Sequence, residues 1–253
     1  MSFFEYTKRL FLVRKCASCR AILDYDNFND ALCPECRLAF DIAKTESCAK
    51  CFKAAFECTC QPNMLSQSGA LCLRKLFIYH TDKSEEPQNK LLYFIKHNPS
   101  KRASGFVARE LWRGINEELS LLGISDPSSE CLISNVPRGR KAVCEYGFDQ
   151  SEEVCERLSL QSGMPYVSLI KRKFRSKEQK KLNAHQRQRN VKKSLAVNEK
   201  NAHLAKGKYI ILFDDIVTTG ASMSACIPML RKMGVKGVIC CTLATDFNNK
   251  TAR

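Results

Sequence analysis

Residues 209–222, YIILFDDIVTTGAS, constrain this chain more than any other stretch. The apolar run Tyr209 to Phe213 suits a strand buried on both faces of a parallel sheet. Asp214 and Asp215 follow at its carboxyl end, where open α/β sheets bind ligands. Thr218, Thr219, Gly220 and Ser222 then lead into a helix whose first amides are unpaired and whose positive end attracts anions. Acids beside an anion cradle make sense for a ligand that needs both. A ribose 5-phosphate does: its vicinal hydroxyls donate to carboxylates, and its phosphate takes the amides and hydroxyls.

This pattern, an apolar run and then D-D-x-x-T-T-G-x-S, resembles the phosphoribosyl-pyrophosphate (PRPP) signature of type I phosphoribosyltransferases. The resemblance implies Asp214 and Asp215 as the catalytic pair on the ribose hydroxyls. Thr218, Thr219, Gly220 and Ser222 would hold the 5-phosphate, with glycine at 220 expected to spare the phosphate a nearby β-carbon. Mg2+ would accompany PRPP, because the departing pyrophosphate carries a large negative charge.

The cysteines impose a second constraint. Of 15, eight fall between Cys16 and Cys60, as Cys16-x-x-Cys19, Cys33-x-x-Cys36, Cys48-x-x-Cys51 and Cys58-x-Cys60. Close pairs without an export-signal core point to metal rather than disulfides. Two knuckles supply the four thiolates of a closed, structural zinc site. One or two Zn2+ ions are therefore expected, paired sequentially or with the first knuckle crossed to the third; sequential pairing is the working choice. The head has few large apolar residues, so metal would supply its folding energy. Cys72, Cys131, Cys144, Cys155, Cys226, Cys240 and Cys241 read as small core residues.

Charge separates the chain in the same way. Residues 1–62 carry 9 Lys/Arg and 8 Asp/Glu, whereas the remainder carries 32 and 18. Within Lys171–Lys193, eleven Lys/Arg face one acid, Glu178. Such a segment suits a polyanion, whether pyrophosphate, nucleic acid or both. No apolar run reaches the length of a membrane span, so membrane insertion is not expected and a cytoplasmic location is the default.

The expected organisation is a cysteine-rich zinc-ribbon module at 1–62, a linker at 63–70 within the polar, turn-rich PNMLSQSG, and an α/β domain at 71–253. In that domain, strands are expected at Leu71–His80, Glu130–Val136, Val167–Ile170, Tyr209–Phe213 and Gly237–Leu243. Helices are expected at Asn89–His97, Ala103–Leu122 with Gly123 behind it, Ser151–Leu160 and Ala221–Met233, the last bent by Pro228. Alternating strands and helices imply a parallel sheet flanked by helices. Trp112 reads as core. The four histidines show no ligand spacing.

Further stretches resemble the ComF family. Val136-Pro137, Arg140 and Gly147-Phe148-Asp149-Gln150 look like its V-P…R…R-G-F-N-Q segment, with Tyr146 where Arg is usual and Asp149 where Asn is usual. Arg172, Gln179, Leu182, Arg187 and Asn190 follow its R…Q…L…R…N order. Lys96 falls where that family carries Lys-Tyr-x-Gly, a pattern that His97-Asn98-Pro99 breaks. The resemblance spans roughly residues 16–245 and implies a type I phosphoribosyltransferase-like fold acting in natural transformation, with other competence proteins as partners. It does not by itself assign a reaction.

Two functions compete on this reading. One is PRPP binding and phosphoribosyl transfer, with Val136, Pro137, Arg138 and Arg140 forming the pyrophosphate loop and Arg172, Gln179, Arg187 and Asn190 in a hood loop that closes over the leaving group. The other is a non-catalytic factor that holds single-stranded DNA on the basic loop. A PRPP-sensing regulator that docks partners through the zinc head is a third.

Overall fold

In the computed structural model, which describes residues 13–173 and 194–246, the elements run α1 (Pro34–Lys44), α2 (Asn63–Ser68), β1 (Cys72–Ile78), α3 (Pro87–His97), α4 (Lys101–Leu121), α5 (Pro127–Glu130), β2 (Cys131–Asn135), α6 (Arg140–Tyr146), α7 (Gln150–Ser162), β3 (Ile170–Arg172), β4 (Leu195–Val197), β5 (Tyr209–Val217), α8 (Ala221–Lys232) and β6 (Gly237–Thr245). Four strands make a parallel sheet ordered β1–β6–β5–β2. The apolar runs fit this role because helices cover both faces. One face packs α1, α3, α4 and α7 around Phe77, Ile133, Ile211 and Phe213. The other packs α2 and α8 against Leu73, Leu132, Ile210 and Leu212.

Several expectations are corrected. β5 does not stop at Phe213 but continues through the acids to Val217, because β6 goes on pairing with it as far as Thr245. The expected linker contains helix α2, which buries Leu65 completely and ends on Gly69 in the left-handed region, at φ 87. Val167–Ile170 is not a fifth strand of the sheet. Tyr166 makes one parallel bridge to Ile133, and the chain then enters the antiparallel β3–β4 pair. Cys144 is exposed rather than core, on the short helix α6; the other six non-cluster cysteines are buried. Trp112 is half-buried against the core.

The head shares the domain's core. Phe40 of α1 is fully buried, its ring 5.1 Å from Phe106 and 6.0 Å from Phe77, both edge-on. Beside it, buried Glu110 of α4 receives Lys44 at 2.5 Å and Arg37 at 3.0 Å. Removing one partner of such a pair strands the others. Glu110→Ala is expected to cost about 3 kcal/mol in denaturant unfolding. A change below about 0.5 kcal/mol would show that solvent already screens the cluster.

Candidate functional site

The carboxyl ends of β2 and β5 lie side by side, with Asn135 opposite Phe213, so the acids and the loop after β2 meet at one edge. Successive strand residues point to opposite faces. Asp215 turns toward α7 and α3: its Oδ2 accepts from Gln150 Nε2 at 2.9 Å and lies 3.7 Å from Lys96 Nζ. Asp214 lies on the α8 side, within electrostatic reach of Arg172. Each carboxylate also bends onto the next amide, Asp214 Oδ1 to Asp215 N at 3.0 Å and Asp215 Oδ1 to Ile216 N at 2.8 Å. Oδ2 of Asp214 has no hydrogen-bond partner among the described residues.

Burial, and then the charge of Asp215, push the Asp214 carboxyl well above its ordinary value of 3.8. The folded state therefore binds this proton more tightly than the unfolded chain does. Its contribution to stability is present at low pH and is lost as pH rises through the raised value. Asp214→Asn is accordingly expected to melt higher than the native protein at neutral pH, with the gap closing as pH falls toward 3.8. A gap that stays constant in paired Tm–pH curves would contradict this.

Behind the acids, Thr218 and Thr219 are exposed and Ser222 is half-buried. Their hydroxyls have no hydrogen-bond partner among the described residues. Gly220 sits at φ 76 as the residue before α8, which starts without a side-chain cap. A β-carbon there would lie 3.1 Å from Leu65 Cβ and 3.4 Å from Pro62 Cγ. The left-handed backbone favours glycine here, and a β-carbon would also press on Leu65 of α2 and on Pro62.

Across the edge, Val136 is buried and its amide donates to Phe213 O at 2.8 Å. Arg138 donates its amide to Asp149 Oδ2 at 2.7 Å and its guanidinium to Lys96 O at 2.9 Å and Phe148 O at 3.4 Å. It also lies over the Tyr146 ring. Asp149 in turn caps α7 through the amides of Ser151 and Glu152. Arg138 is thus largely occupied in bracing the loop. Arg140 begins α6. Arg172 Nε donates to Pro137 O at 3.0 Å, so the β3–β4 pair brings a cation to this edge. Gln179, Arg187 and Asn190 lie outside the described residues.

Lys96 and Gln150 enter the site without having been singled out for it. Gln150 closes a quoted motif, a signal that was available. Lys96 sits in the stretch where that family's pattern breaks.

The eight head cysteines gather as Cys16, Cys19, Cys33 and Cys36, and as Cys48, Cys51, Cys58 and Cys60, each set with its sulfurs within 4.8 Å of one another. The pairing is sequential. Sulfurs of Cys19 and Cys33 are 3.6 Å apart and those of Cys51 and Cys58 are 3.5 Å apart, too far for a disulfide and right for four thiolates around one tetrahedral ion. The first knuckle of each set has the same turn. Arg20 N donates to Cys16 O at 3.2 Å and Phe52 N to Cys48 O at 2.8 Å, with Arg20 and Phe52 both left-handed at φ 67 and 59. Amides of Ser18 and Cys33 point at Cys16 Sγ, both at 3.4 Å, as they do in metal second shells. Both sets fit structural zinc. Lys75, buried in β1, donates to Cys58 O at 2.9 Å and Cys60 O at 3.0 Å, placing a cation against the second thiolate cluster.

Residues 150–253 match the phosphoribosyl transferase domain family. The chain is 25% identical over 228 residues to Competence protein F of Haemophilus influenzae, covering 84% of this chain and 96% of that one. It is 23% identical over 215 residues to Competence protein ComFC of Streptococcus pneumoniae, covering 84% and 86%. A solved hypoxanthine phosphoribosyltransferase from Staphylococcus aureus is similar with a TM-score of 0.35 at 10% identity, covering 61% of this chain and 69% of that one. No helix among the described residues is long and apolar enough to cross a membrane.

Proposed function

We propose that this chain, a ComF-type protein with a phosphoribosyltransferase-like domain, binds PRPP at the edge formed by β2 and β5 and transfers its phosphoribosyl group during DNA uptake by competent cells. The observation that carries this reading is the pairing of two carboxylates with unpartnered hydroxyls at an uncapped helix start. The amides that open α8, with Thr218, Thr219 and Ser222, take the 5-phosphate. Asp214 and Asp215 accept from the ribose diol. Lys96 and Gln150 position Asp215 for this role.

The diphosphate faces the loop Val136, Pro137, Arg138 and Arg140. Pro137 and Arg138 shape the loop, and Arg172 provides charge. Mg2+ would be held by diphosphate oxygens, with the two aspartates as the protein's oxygen donors, and would neutralise the leaving group. Attack by an acceptor's lone pair on C1 forms the new bond as the C1–O bond breaks. Pyrophosphate keeps that bond's electron pair, and the acceptor's proton passes to water. Negative charge at Asp215, and at Asp214 once bound Mg2+ favours its ionised form, favours the positive charge that develops on the sugar.

Calorimetric titration with PRPP and Mg2+ tests the binding. One saturable site is expected, with ribose 5-phosphate competing for it; no heat, or no competition, would defeat the proposal. A second reading has its own support in the ten net positive charges of Lys171–Lys193. Single-stranded DNA held by that segment would lose affinity steeply as salt rises. Binding insensitive to salt would contradict it.

A further inference from the structure

The two side chains that hold Asp215 Oδ2 come from separate helices, and one residue grips the backbone beside both. Lys96 approaches this oxygen from the last turn of α3, at 3.7 Å. Gln150, the first residue of α7, donates to it at 2.9 Å. Arg138, in the loop after β2, reaches each of these segments. Its guanidinium donates to Lys96 O at 2.9 Å, which fixes the turn that carries the lysine side chain. Its amide donates to Asp149 Oδ2 at 2.7 Å, and the other oxygen of Asp149 takes the amides of Ser151 and Glu152. Gln150 stands between that cap and those amides, so the same carboxylate sets where α7 begins.

The guanidinium is held on several sides. It donates to Phe148 O at 3.4 Å, lies 4.8 Å over the Tyr146 ring and stands 5.8 Å from the Phe148 ring. The Tyr146 ring also meets His97 of α3 edge-on, with centroids 4.7 Å apart. The end of α3, the loop after β2 and helix α6 are thus clasped around one cation. Two carbonyls and two aromatic faces make that cation a brace. A residue placed to take phosphate oxygens would keep those donors open.

We propose that Arg138 is a positioning residue for Asp215, setting through the backbone of Lys96 and the cap Asp149 the geometry in which that carboxylate meets a vicinal diol. The proposal rests on the PRPP reading and deepens it. Arg138 belongs to the loop that faces the diphosphate, so one residue organises both the diol end and the diphosphate end of the ligand. A carboxylate whose supports shift loses the alignment that a preorganised site supplies. The effect of Arg138 therefore extends to ribose 5-phosphate, which has the diol and no diphosphate to place against the loop.

The test is calorimetry of the full, zinc-loaded chain with ribose 5-phosphate and with PRPP, both with Mg2+, for the native protein, Arg138→Met, Lys96→Met and the double variant. Methionine keeps the stem of each side chain and removes its donors. Arg138→Met is expected to weaken ribose 5-phosphate about tenfold. In the Lys96→Met background the same change should cost about threefold or less, because the guanidinium acts through Lys96. Arg138→Lys retains a donor for Lys96 O and should recover most of the lost affinity. A loss confined to PRPP would make Arg138 a diphosphate ligand and overturn the inference, as would an equal loss in both backgrounds. Lys96→Met tests the same arm at a side chain 40% exposed, where folding is not at stake; unchanged ribose 5-phosphate affinity there would also overturn it. A native chain that binds neither ligand would defeat the PRPP reading itself, and the inference with it.

Discussion

Asp214→Asn combined with Asp215→Asn should weaken PRPP binding by about a hundredfold or more, while leaving the fold intact. A hydrogen bond to a charged acceptor contributes about 1.5–3 kcal/mol, and the variant can offer neither diol contact a carboxylate, even with Mg2+ bound to favour the ionised form of Asp214. Asn keeps the size of Asp and can still accept from the amides of residues 215 and 216, which are the carboxylates' own structural bonds. The Asp214 change also relieves a carboxylate that burial and its neighbour disfavour. A loss of binding with a Tm equal to or above that of the native protein would separate ligand recognition from stability. Calorimetry reads the first and thermal denaturation the second. Equal PRPP affinity in the variant would remove these residues from the site.

Metal removal should have the larger structural effect. Structural zinc in small modules contributes about 10–16 kcal/mol to folding, comparable to the whole margin of about 5–15 kcal/mol that holds a domain together. The first cluster is continuous with the core: Cys16, Cys33 and Cys36 are buried in the same apolar cluster as Phe40, Phe77 and Phe106. Chelation, or Cys36→Ser, is therefore expected to loosen α1 and uncover Phe40. The Glu110 ion cluster between α1 and α4 would open with it. Elemental analysis should find two zinc ions per chain, one for each cysteine set. A fall in Tm together with zinc release is the expected result. Complete zinc loss with no change in Tm would show that the clusters are ornaments on a self-sufficient core.

The parallel sheet was legible because its strands are apolar runs, and the metal sets because cysteine spacing is strict. What escaped depended on partners distant in sequence. Two aspartates look like the end of a strand, yet β5 continues past them because Ala244 and Thr245 of β6 remain available to pair with it. The polar segment 63–68 shows few helix signals. It is a helix because Leu65 finds a buried place near Gly220 and Gly69 supplies a left-handed end. Sequence spacing allowed sequential and crossed metal sets alike, and only the distances between sulfurs separate them. Lys96 and Asp215 are far apart along the chain, so no local pattern links them. The contacts of Gly220 with Leu65 and Pro62 likewise join segments far apart along the chain.

The most direct test is a crystal of the zinc-loaded protein soaked with PRPP and Mg2+. The account predicts electron density for the 5-phosphate within hydrogen-bond reach of the amides that open α8, with the ribose hydroxyls on Asp214 and Asp215 and the diphosphate beside the Val136–Arg140 loop. PRPP found elsewhere, or an edge still empty at saturating concentration, would contradict it.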